Sequence, residues 1–343
     1  MEGEEKIIME RQLASIQKVY NIRPIEGADK IVVCNILGWN VVIRKDEFKD
    51  GDLVVYCEVD SILPQKPEFE FLKDRGYRIK TIKLKKQISQ GICFPLSVLP
   101  NGAYNEGDDV TELLGVTKYE IPIPAQLQGK VKGYFPGFIR KTDEIRIQSY
   151  PKLIDEMQGK PVYITTKIDG SSFTAYVKDG VFGVCSRNLE LKEDDPDNFR
   201  NSFVSIAKKL NLKEKMLSLN NSIAIQGELA GVGIAKNKLN LKELDVYFFN
   251  AWDITNQKYL DFNDFVYTIN SLGLKTVPIE HSDVEFNWKS VDELLELARG
   301  KYEGTNNHKE GIVIRPVVET YSDSLRGRMS FKVINNDFLL GED

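Results

Sequence analysis

The stretch VYITTKIDGSSFTAYV (residues 162–177) contains two apolar segments that meet at a polar turn. Runs rich in β-branched and aromatic residues on either side of a turn predict two strands. Lys167 ends the first strand, and Asp169 points the same way along an extended backbone. A lysine between buried segments is costly unless it is paired or neutralised. The stretch therefore predicts a sheet with a candidate functional lysine at a strand end.

Lys167 has two interpretations on these residues alone. In the first, partial burial and neighbouring cations lower the pKa of the amine and free its lone pair, as a lysine nucleophile requires. In the second, Lys167 is a solvated strand-end lysine in a salt bridge. The choice between them depends on what the other strands carry.

Other apolar runs also carry a charged residue inside the run or at its end. These residues are Arg187, Glu228, Glu310 and Lys332. Each alone is more typical of a paired or exposed charge. Together with Lys167 and Asp169 they supply carboxylates that hold Mg²⁺ or its waters, and cations that neutralise phosphate oxygens. The combined set indicates phosphoryl chemistry.

The chain has two parts that differ in their secondary-structure patterns. The first 115 or so residues contain short strand patterns without long helical ones, which predicts a small all-β barrel. Later strands and helices alternate irregularly with several hairpins, which favours an α+β domain with mainly antiparallel sheets over a doubly wound one. The intervening IPIPAQLQGKVKGYFPG (121–137), rich in proline and glycine, predicts a boundary between domains 1–125 and 126–343. The alternative is a long surface loop within one domain.

Composition narrows the function classes. At 343 residues the chain suits two domains, and 42 % hydrophobic with 28 % charged residues is ordinary for a globular protein. No apolar run is long enough to span a bilayer and no secretory signal is evident, so we expect no membrane association and a location in the cytosol or nucleus. Four scattered cysteines and two histidines leave no zinc or disulfide framework. No Gly-Lys pair completes a P-loop, so any nucleotide is bound another way.

Six short motifs follow one another in a fixed order. They are KxDG (167–170), SRN (186–188), GELAGxGI (227–234), WDI (252–254), EGIVIRP (310–316) and FKVIN (331–335). The order resembles the motif series of the covalent nucleotidyltransferases, which comprise DNA ligases, RNA ligases and mRNA capping enzymes. GELAGVGIAKN is most similar to the RNA ligase branch. The N-terminal segment resembles RNA ligases with an OB domain before the catalytic domain (RNA ligase family 5).

The resemblance implies a role for each motif residue. Lys167 attacks the α-phosphorus of ATP and becomes lysyl-AMP, while Lys332 binds the α-phosphate and assists the loss of pyrophosphate. Asp169 and Glu310 organise Mg²⁺ or Mn²⁺, largely through its waters. Contacts with the rest of the nucleotide, the metal or the RNA end fall to Glu228 (ribose or metal waters), Arg187 (ribose or RNA 5′-phosphate), Trp252 (adenine stacking), and Arg146 and Gln148 (nucleotide or RNA end).

Some of these assignments have alternatives. Trp252 is otherwise an ordinary core tryptophan, and Arg146 and Gln148 are otherwise surface residues that lead into a helix. The last motif in related ligases often reads Lys-x-Lys, and here Ile334 takes the second place, which leaves Arg326 or Arg328 as substitutes. Thr166 stands where the residue before the nucleophile is often glutamate.

The N-terminal segment contains a cationic stretch. Seven basic residues and one acid lie between Lys73 and Lys86. Alternation along a strand places Arg78, Lys80 and Lys83 together, with Tyr77 adjacent, which is suited to a phosphate backbone or to pyrophosphate. The alternative is an edge strand that lysines protect from pairing.

The sequence as a whole favours one function. We hypothesise an ATP-dependent RNA ligase that joins RNA 3′-OH and 5′-phosphate ends through lysyl-AMP and RNA-adenylate intermediates. Its expected substrate is a nicked duplex with RNA on the 3′-OH side, in nick sealing or RNA repair, and the enzyme is expected to be a monomer. The alternatives are a capping guanylyltransferase or DNA ligase, and a non-catalytic OB-containing RNA-binding protein.

Overall fold

The computed structural model describes residues 11–119, 131–193 and 202–341. The chain divides into two compact units, one with Met1–Pro122 and Ile147–Lys152 and the other with Ile123–Arg146 and Leu153–Gly341. The predicted boundary after residue 125 lies outside the described residues. The short segment Ile147–Lys152 belongs to the first unit, although it comes after residue 125 in sequence.

The first unit is built of short strands. They are β1 (Ala14–Lys18), β2 (Tyr20–Pro24), β3 (Ile31–Ile36), β4 (Trp39–Arg44), β5 (Leu53–Cys57), β6 (Ser61–Ile62), β7 (Ile82–Leu84), β8 (Gln87–Ser89), β9 (Ile92–Phe94) and β10 (Thr117–Lys118), with helix α1 (Thr111–Leu114) and 3₁₀ segments Pro67–Arg75 and Leu96–Val98. Antiparallel pairing joins them in the orders β1-β5-β9, β2-β3-β4, β7-β8 and β10-β6. One apolar core that includes Trp39, Tyr56 and Phe69 lies among them.

The predicted strand over residues 78–86 is wrong in extent. Only Ile82–Leu84 is extended there, and it forms a hairpin with Gln87–Ser89 around Lys85 and Lys86, both at positive φ. Ile79 instead bonds to Ser61 and lies in the core. The alternation in sequence therefore spans two different backbone paths.

The second unit mixes strands and helices. Its strands are β11 (Val131–Tyr134), β12 (Ile145–Arg146), β13 (Pro161–Lys167), β14 (Ser171–Lys178), β15 (Val181–Cys185), β16 (Leu189–Leu191), β17 (Ile223–Ala230), β18 (Asp245–Asp253), β19 (Lys258–Tyr259), β20 (Lys275–Thr276), β21 (Ile279–Glu285), β22 (Gly311–Pro316), β23 (Tyr321–Ser322), β24 (Gly327–Arg328) and β25 (Phe331–Ile334). Its helices are α2 (Leu153–Met157), α3 (Ser202–Lys209), α4 (Leu212–Leu217), α5 (Phe262–Ser271), α6 (Val291–Leu297) and α7 (Asn336–Leu340).

Two sheets of the second unit carry the motifs. One sheet has the order β11-β16-β15-β14-β17-β18-β19, with β20 beside β18, and the other has the order β12-β25-β22-β13-β21. Pairing is antiparallel except where β12 meets β25 and β20 meets β18. One face of the first sheet packs with α3, α4 and α5 in an apolar core. This arrangement matches the predicted α+β class with mainly antiparallel sheets.

The described part of the chain contains no helix that is long and apolar enough to cross a membrane. Its four cysteines are free and buried.

Candidate active site

Strand register places Lys167 and Lys332 on one face of the five-stranded sheet. Lys167 lies opposite Gly311, which lies opposite Ile334 of the next strand. One step of two residues away, Val313 lies opposite Lys332. Directly opposed residues share a face, and residues two apart on a strand do too. The nucleophile candidate and the last-motif lysine therefore face the same side, as their motif roles require.

Gly170 lets the turn after Lys167 approach the neighbouring sheet. A Cβ at this position would lie 2.3 Å from the Leu229 carbonyl oxygen and 2.9 Å from the Glu228 Cγ. Only glycine tolerates such an approach of two backbones. The KxDG glycine therefore brings Glu228 of β17 up to the end of β13.

Lys167 forms an ion pair with Glu310 in a partly enclosed site. Its Nζ lies 2.8 Å from the Glu310 Oε2, with 23 % and 18 % of the two side chains exposed. Burial lowers the pKa of the amine, but the charges of Glu310, Glu228 and Asp169 outweigh burial and raise the pKa above its ordinary value. The expectation of a lowered pKa is therefore wrong for the protein alone, because the nearest charges are carboxylates rather than cations.

The pKa of Glu228 is also raised, but for a carboxyl group this shift favours the uncharged form. Burial is the largest influence and, with the repulsion from Glu310 and Asp169, it raises the pKa of Glu228 to about 8 although Lys167 and Arg187 act against it. Like charges in one small site disfavour further ionisation. Three carboxyl groups therefore surround one lysine amine, and Glu228 stays largely protonated up to about pH 8.

This excess of carboxylate fits a divalent cation. Hard cations such as Mg²⁺ and Mn²⁺ take oxygen ligands and commonly keep several waters, with one or two carboxylates and substrate phosphates completing the shell. Across residues 11–119, 131–193 and 202–341, no group of three or more His, Cys, Asp or Glu side chains is placed to hold a metal ion directly. Asp169, Glu228 and Glu310 supply the oxygen ligands that such a cation takes, and their part in holding it stays a prediction.

Arg187 lies at the exposed edge of this cluster. Its guanidinium bonds to Asp143 at 2.5 Å, and 54 % of its side chain is exposed. Its charge acts on Glu228, so it lies within electrostatic reach of the carboxylates. An exposed arginine at the edge of the site suits a phosphate or ribose contact, which stays a prediction.

Trp252 is enclosed by aromatic neighbours. Only 4 % of it is exposed, its ring meets the edge of Tyr259 at 4.8 Å, and its indole N–H donates to the Phe138 carbonyl oxygen at 3.1 Å. Trp252 lies opposite Ala224 of β17 and Glu228 lies opposite Tyr247 of β18, with a register shift between the two pairs. Adenine stacking on this ring stays a prediction beside the core-tryptophan alternative.

The upstream pair Arg146 and Gln148 divides between the two units. Arg146 lies opposite Lys332 in the parallel pairing of β12 and β25. Gln148 lies in the segment that belongs to the first unit and is 1 % exposed, and neither atom of its amide has a hydrogen-bond partner among the described residues. Their predicted contacts with nucleotide or RNA are untested by this geometry.

Arg326 and Arg328 were the candidates to replace the second lysine of the last motif, whose place Ile334 takes. Ile334 is buried, and Arg328 binds the carboxylate of Glu319 and, at 2.8 Å, the Asn250 side chain. Arg326 is exposed and has a positive φ. Arg328 is thus engaged by protein groups.

Two features of the site carried no signal in the sequence. The Tyr302 hydroxyl bonds to the main chain of Lys167, Asp169 and Glu310. Next to the nucleophile in sequence, the Thr166 hydroxyl donates to the Glu280 carboxylate at 2.7 Å. The same carboxylate accepts from the Lys309 amine at 2.6 and 2.7 Å. The residue before Lys167 is therefore joined to a carboxylate that a different strand supplies.

Comparison with known proteins identifies the family. A model described as an OB-fold domain matches residues 13–96, and a model described as RNA ligase matches residues 160–334. The chain belongs to the RNA ligase family. The resemblance drawn from the motif order is thereby confirmed, as is the OB-fold domain ahead of a mixed α/β domain.

Solved structures of Naegleria gruberi RNA ligase resemble this chain along nearly its whole length. The structure with pyrophosphate is 36 % identical, covers 97 % of this chain and 99 % of its own, and has a TM-score of 0.85. A variant with AMP and Mn is 36 % identical, with 96 % and 98 % covered and a TM-score of 0.86. A variant with ATP and Mn is 36 % identical, with 96 % and 99 % covered and a TM-score of 0.84. No curated protein sequence matches the ligase significantly.

The predicted RNA-binding residues of the ligase have different surroundings. The Arg78 guanidinium bonds to Asp60 at 2.8 Å and stacks 3.6 Å from the centre of the Tyr119 ring. Lys80 and Lys83 are exposed, and Lys83 lies on the hairpin whose tip is Lys85 and Lys86. Tyr77 is buried, with its hydroxyl on Glu70. Lys83, Lys85 and Lys86 are thus exposed on the hairpin, and Lys80 is exposed two residues before its first strand. Lys73 and Arg75 are exposed in the preceding 3₁₀ segment.

Because the pKa of Glu228 is raised, we expect its replacement by an uncharged residue to stabilise the fold, and to do so more strongly at higher pH. A pKa raised to about 8 in the folded ligase means that this group favours folding when protonated and costs stability as pH rises from its unfolded pKa, about 4.3, through 8. Glu228→Gln cannot ionise. We therefore expect it to melt at a higher temperature than the parent chain, by a margin that grows by roughly 3 to 6 °C between about pH 5.5 and about pH 8.5.

Thermal unfolding at several pH values checks this expectation. Glu303→Gln, an exposed glutamate of the second unit, is the matched control and should show no such growth. A margin for Glu228→Gln that is constant or shrinks as pH rises contradicts the raised pKa.

Proposed function

We propose that the chain is an ATP-dependent RNA ligase that joins RNA 3′-OH and 5′-phosphate ends through lysyl-AMP and RNA-adenylate intermediates. The observation that carries the proposal is the Lys167–Glu310 pair at 2.8 Å, surrounded by Asp169 and Glu228 and on the same face as Lys332. Naegleria gruberi RNA ligase, similar along nearly its whole length, is known with ATP, with AMP and with Mn, and this supports the same substrate and a divalent metal here.

The proposed reaction has three balanced transfers. The Lys167 lone pair forms an N–P bond to the α-phosphorus of ATP, and pyrophosphate leaves. An RNA 5′-phosphate oxygen then attacks the same phosphorus and the lysine leaves, which gives RNA-adenylate. Finally a 3′-OH attacks the 5′-phosphate, loses its proton and displaces AMP. Positioning and charge stabilisation carry such transfers.

Lys167 must be a free amine to attack. In this proposal the carboxylates around it both hold the metal and orient the amine. Asp169, Glu310 and Glu228 would hold the divalent metal, largely through its waters. The bound metal supplies positive charge that offsets the carboxylates and stabilises charge on the phosphate oxygens. With their charge offset, the carboxylates no longer hold the proton on Lys167, while Glu310 still orients its amine.

The remaining motif residues bind the substrate. Lys332, on the same sheet face as Lys167, would contact the α-phosphate and ease the departure of pyrophosphate. Arg187, exposed beside the carboxylates, would bind ribose and then the RNA 5′-phosphate. Trp252, Arg146 and Gln148 keep their proposed contacts with adenine, nucleotide or RNA end.

We further propose that the ligase acts on nicked duplexes with RNA at the 3′-OH side, as in nick sealing or RNA repair. In this proposal the OB-fold domain (1–125) holds the RNA, and the domain after it (126–343) carries out nucleotidyl transfer. The exposed cations on and beside the β7–β8 hairpin, Lys80 and Lys83 among them, support a contact with the phosphate backbone or pyrophosphate.

Neutralising Lys80 and Lys83 tests that contact. We expect Lys80→Ala with Lys83→Ala to weaken RNA binding and to flatten its salt dependence by roughly one unit of log–log slope per lost phosphate contact. Binding and sealing of a nicked RNA duplex are measured at several salt concentrations. Lys45→Ala, an exposed lysine of another turn in the same unit, is the control. Unchanged slopes and rates would make the hairpin a solvated edge.

Nucleotide choice separates the proposed function from a capping enzyme and from a non-catalytic binding protein. The ligase is incubated with labelled ATP or labelled GTP and Mn²⁺, and then run on a denaturing gel. Label from ATP that stays on the protein is the expected result. Label from GTP alone indicates a capping enzyme, and label from neither indicates a binding protein.

A further inference from the structure

We propose that Tyr302 is a positioning residue that fixes the nucleophile and two carboxylates relative to one another. The inference deepens the proposed function and rests on it. Tyr302 belongs to none of the sequence motifs, and its role follows from the bonds of one hydroxyl group.

The Tyr302 hydroxyl makes three bonds to the main chain. It donates to the Lys167 carbonyl oxygen at 3.0 Å, and it accepts from the Asp169 N–H at 2.9 Å and the Glu310 N–H at 3.1 Å. A tyrosine oxygen has one proton to donate and two lone pairs. All of its hydrogen-bonding capacity is therefore spent on the backbones of three residues with assigned roles in the transfer.

These three backbones come from two separate parts of the chain. Lys167 and Asp169 flank the end of β13, and Glu310 immediately precedes β22, 141 positions after Asp169. The strand pairing ends at Lys167 and Gly311, so the ladder alone does not reach Asp169. The hydroxyl continues the connection past the end of the ladder, where the Lys167 amine and the Glu310 carboxylate meet.

Tyr302 is itself held firmly. Its ring is 5 % exposed and packs with Ile168, Ala230 and Val277. Its own N–H donates to the Asn307 carbonyl oxygen at 3.0 Å, and the Asn307 side chain donates to the Lys238 carbonyl oxygen at 2.7 Å. A rigid support of this kind is what a precise arrangement of reacting groups requires.

Removal of the hydroxyl should loosen the arrangement without removing a reacting group. Tyr302→Phe keeps the packed ring and leaves two N–H groups and one carbonyl to find other partners. A displacement near 1 Å in reacting groups costs about 10²-fold in rate. We expect lysyl-AMP formation at saturating ATP to slow by about 10- to 100-fold, with the half-saturating ATP concentration within about threefold of the parent value.

The test is a single-turnover measurement of lysyl-AMP formation over a range of ATP concentrations with Mn²⁺. Tyr56→Phe is the matched control, because Tyr56 is a fully buried tyrosine of the first unit whose hydroxyl donates to the Gln90 carbonyl oxygen at 3.0 Å. The control should adenylylate at the parent rate. The expected split, a slow maximal rate with near-normal saturation in Tyr302→Phe alone, is not what a general loss of stability produces.

The outcomes distinguish this inference from the proposed function. If the parent chain forms no adduct with ATP, the proposed function fails and the role of Tyr302 fails with it. If the parent chain reacts and Tyr302→Phe matches it within about twofold, only the role of Tyr302 is overturned. Failure of Tyr302→Phe to saturate with ATP, or equal slowing in Tyr56→Phe, overturns it as well.

Discussion

Replacement of Lys167 by methionine is expected to abolish ATP-dependent adenylylation of the protein. Methionine keeps the aliphatic stem and removes the amine that forms the N–P bond. The loss should be complete within detection, because the Lys167 amine is the proposed acceptor of AMP and Lys332 is proposed to contact the α-phosphate without forming a bond to it. Intact-mass measurement after incubation with ATP and Mn²⁺ checks it, with release of pyrophosphate as a second readout.

Lys258→Met is the control for this substitution, because Lys258 is an exposed lysine on β19 of the same unit. It should adenylylate as the parent chain does. An AMP adduct in Lys167→Met at the parent level would show that the nucleophile is elsewhere.

Replacement of Glu310 by alanine is expected to slow adenylylation by about 10²-fold or more. Two roles of Glu310 predict opposite signs. If it served only as the partner that raises the pKa of Lys167, its removal would favour the free amine and speed the reaction at neutral pH. If it organises the metal and orients the amine, its removal slows the reaction, and we expect this result.

Single-turnover adenylylation at limiting and saturating Mn²⁺ separates the two roles. Glu303→Ala, an exposed glutamate in the loop before Glu310, is the control and should keep the parent rate. A near-parent or faster rate for Glu310→Ala at limiting Mn²⁺ would contradict the metal role.

The sequence predicted the parts of the site that follow from strand periodicity. Lys167, Glu310 and Lys332 stand in or next to short apolar strands, and the register of β13, β22 and β25 brings Lys167 and Lys332 to one face. A period of two fixes the face of each residue once the strands pair. The α+β class likewise followed from hairpins that join neighbouring strands.

The sign of the Lys167 pKa shift could not be predicted in this way. It depends on how closely Glu310 and then Glu228 approach the amine. The approach of Glu228 is set by two backbones that meet at Gly170 and Leu229. A one-dimensional pattern shows which charges exist, but it does not rank their distances.

Tyr302 was missed for a related reason. Its hydroxyl binds main-chain atoms, so no particular side chain needs to accompany it in the sequence.

The predicted strand over 78–86 was wrong for a different reason. The alternating apolar residues of this stretch do not share a core, because Ile79 is buried whereas Leu84 on the hairpin is 37 % exposed. Left-handed backbone at Lys85 and Lys86 turns the chain back before a longer strand forms.

The measurement that tests the central claim most directly is the sealing of a nicked RNA duplex with ATP and Mn²⁺. The strand on the 5′ side of the nick ends in a 3′-OH, and the other strand carries a labelled 5′-phosphate. The account predicts that the label moves into a longer strand and becomes resistant to phosphatase, with AMP released and with no product from Lys167→Met. Label that remains sensitive to phosphatase, under conditions in which the protein forms its ATP adduct, would contradict the assignment as an RNA ligase of 3′-OH and 5′-phosphate ends.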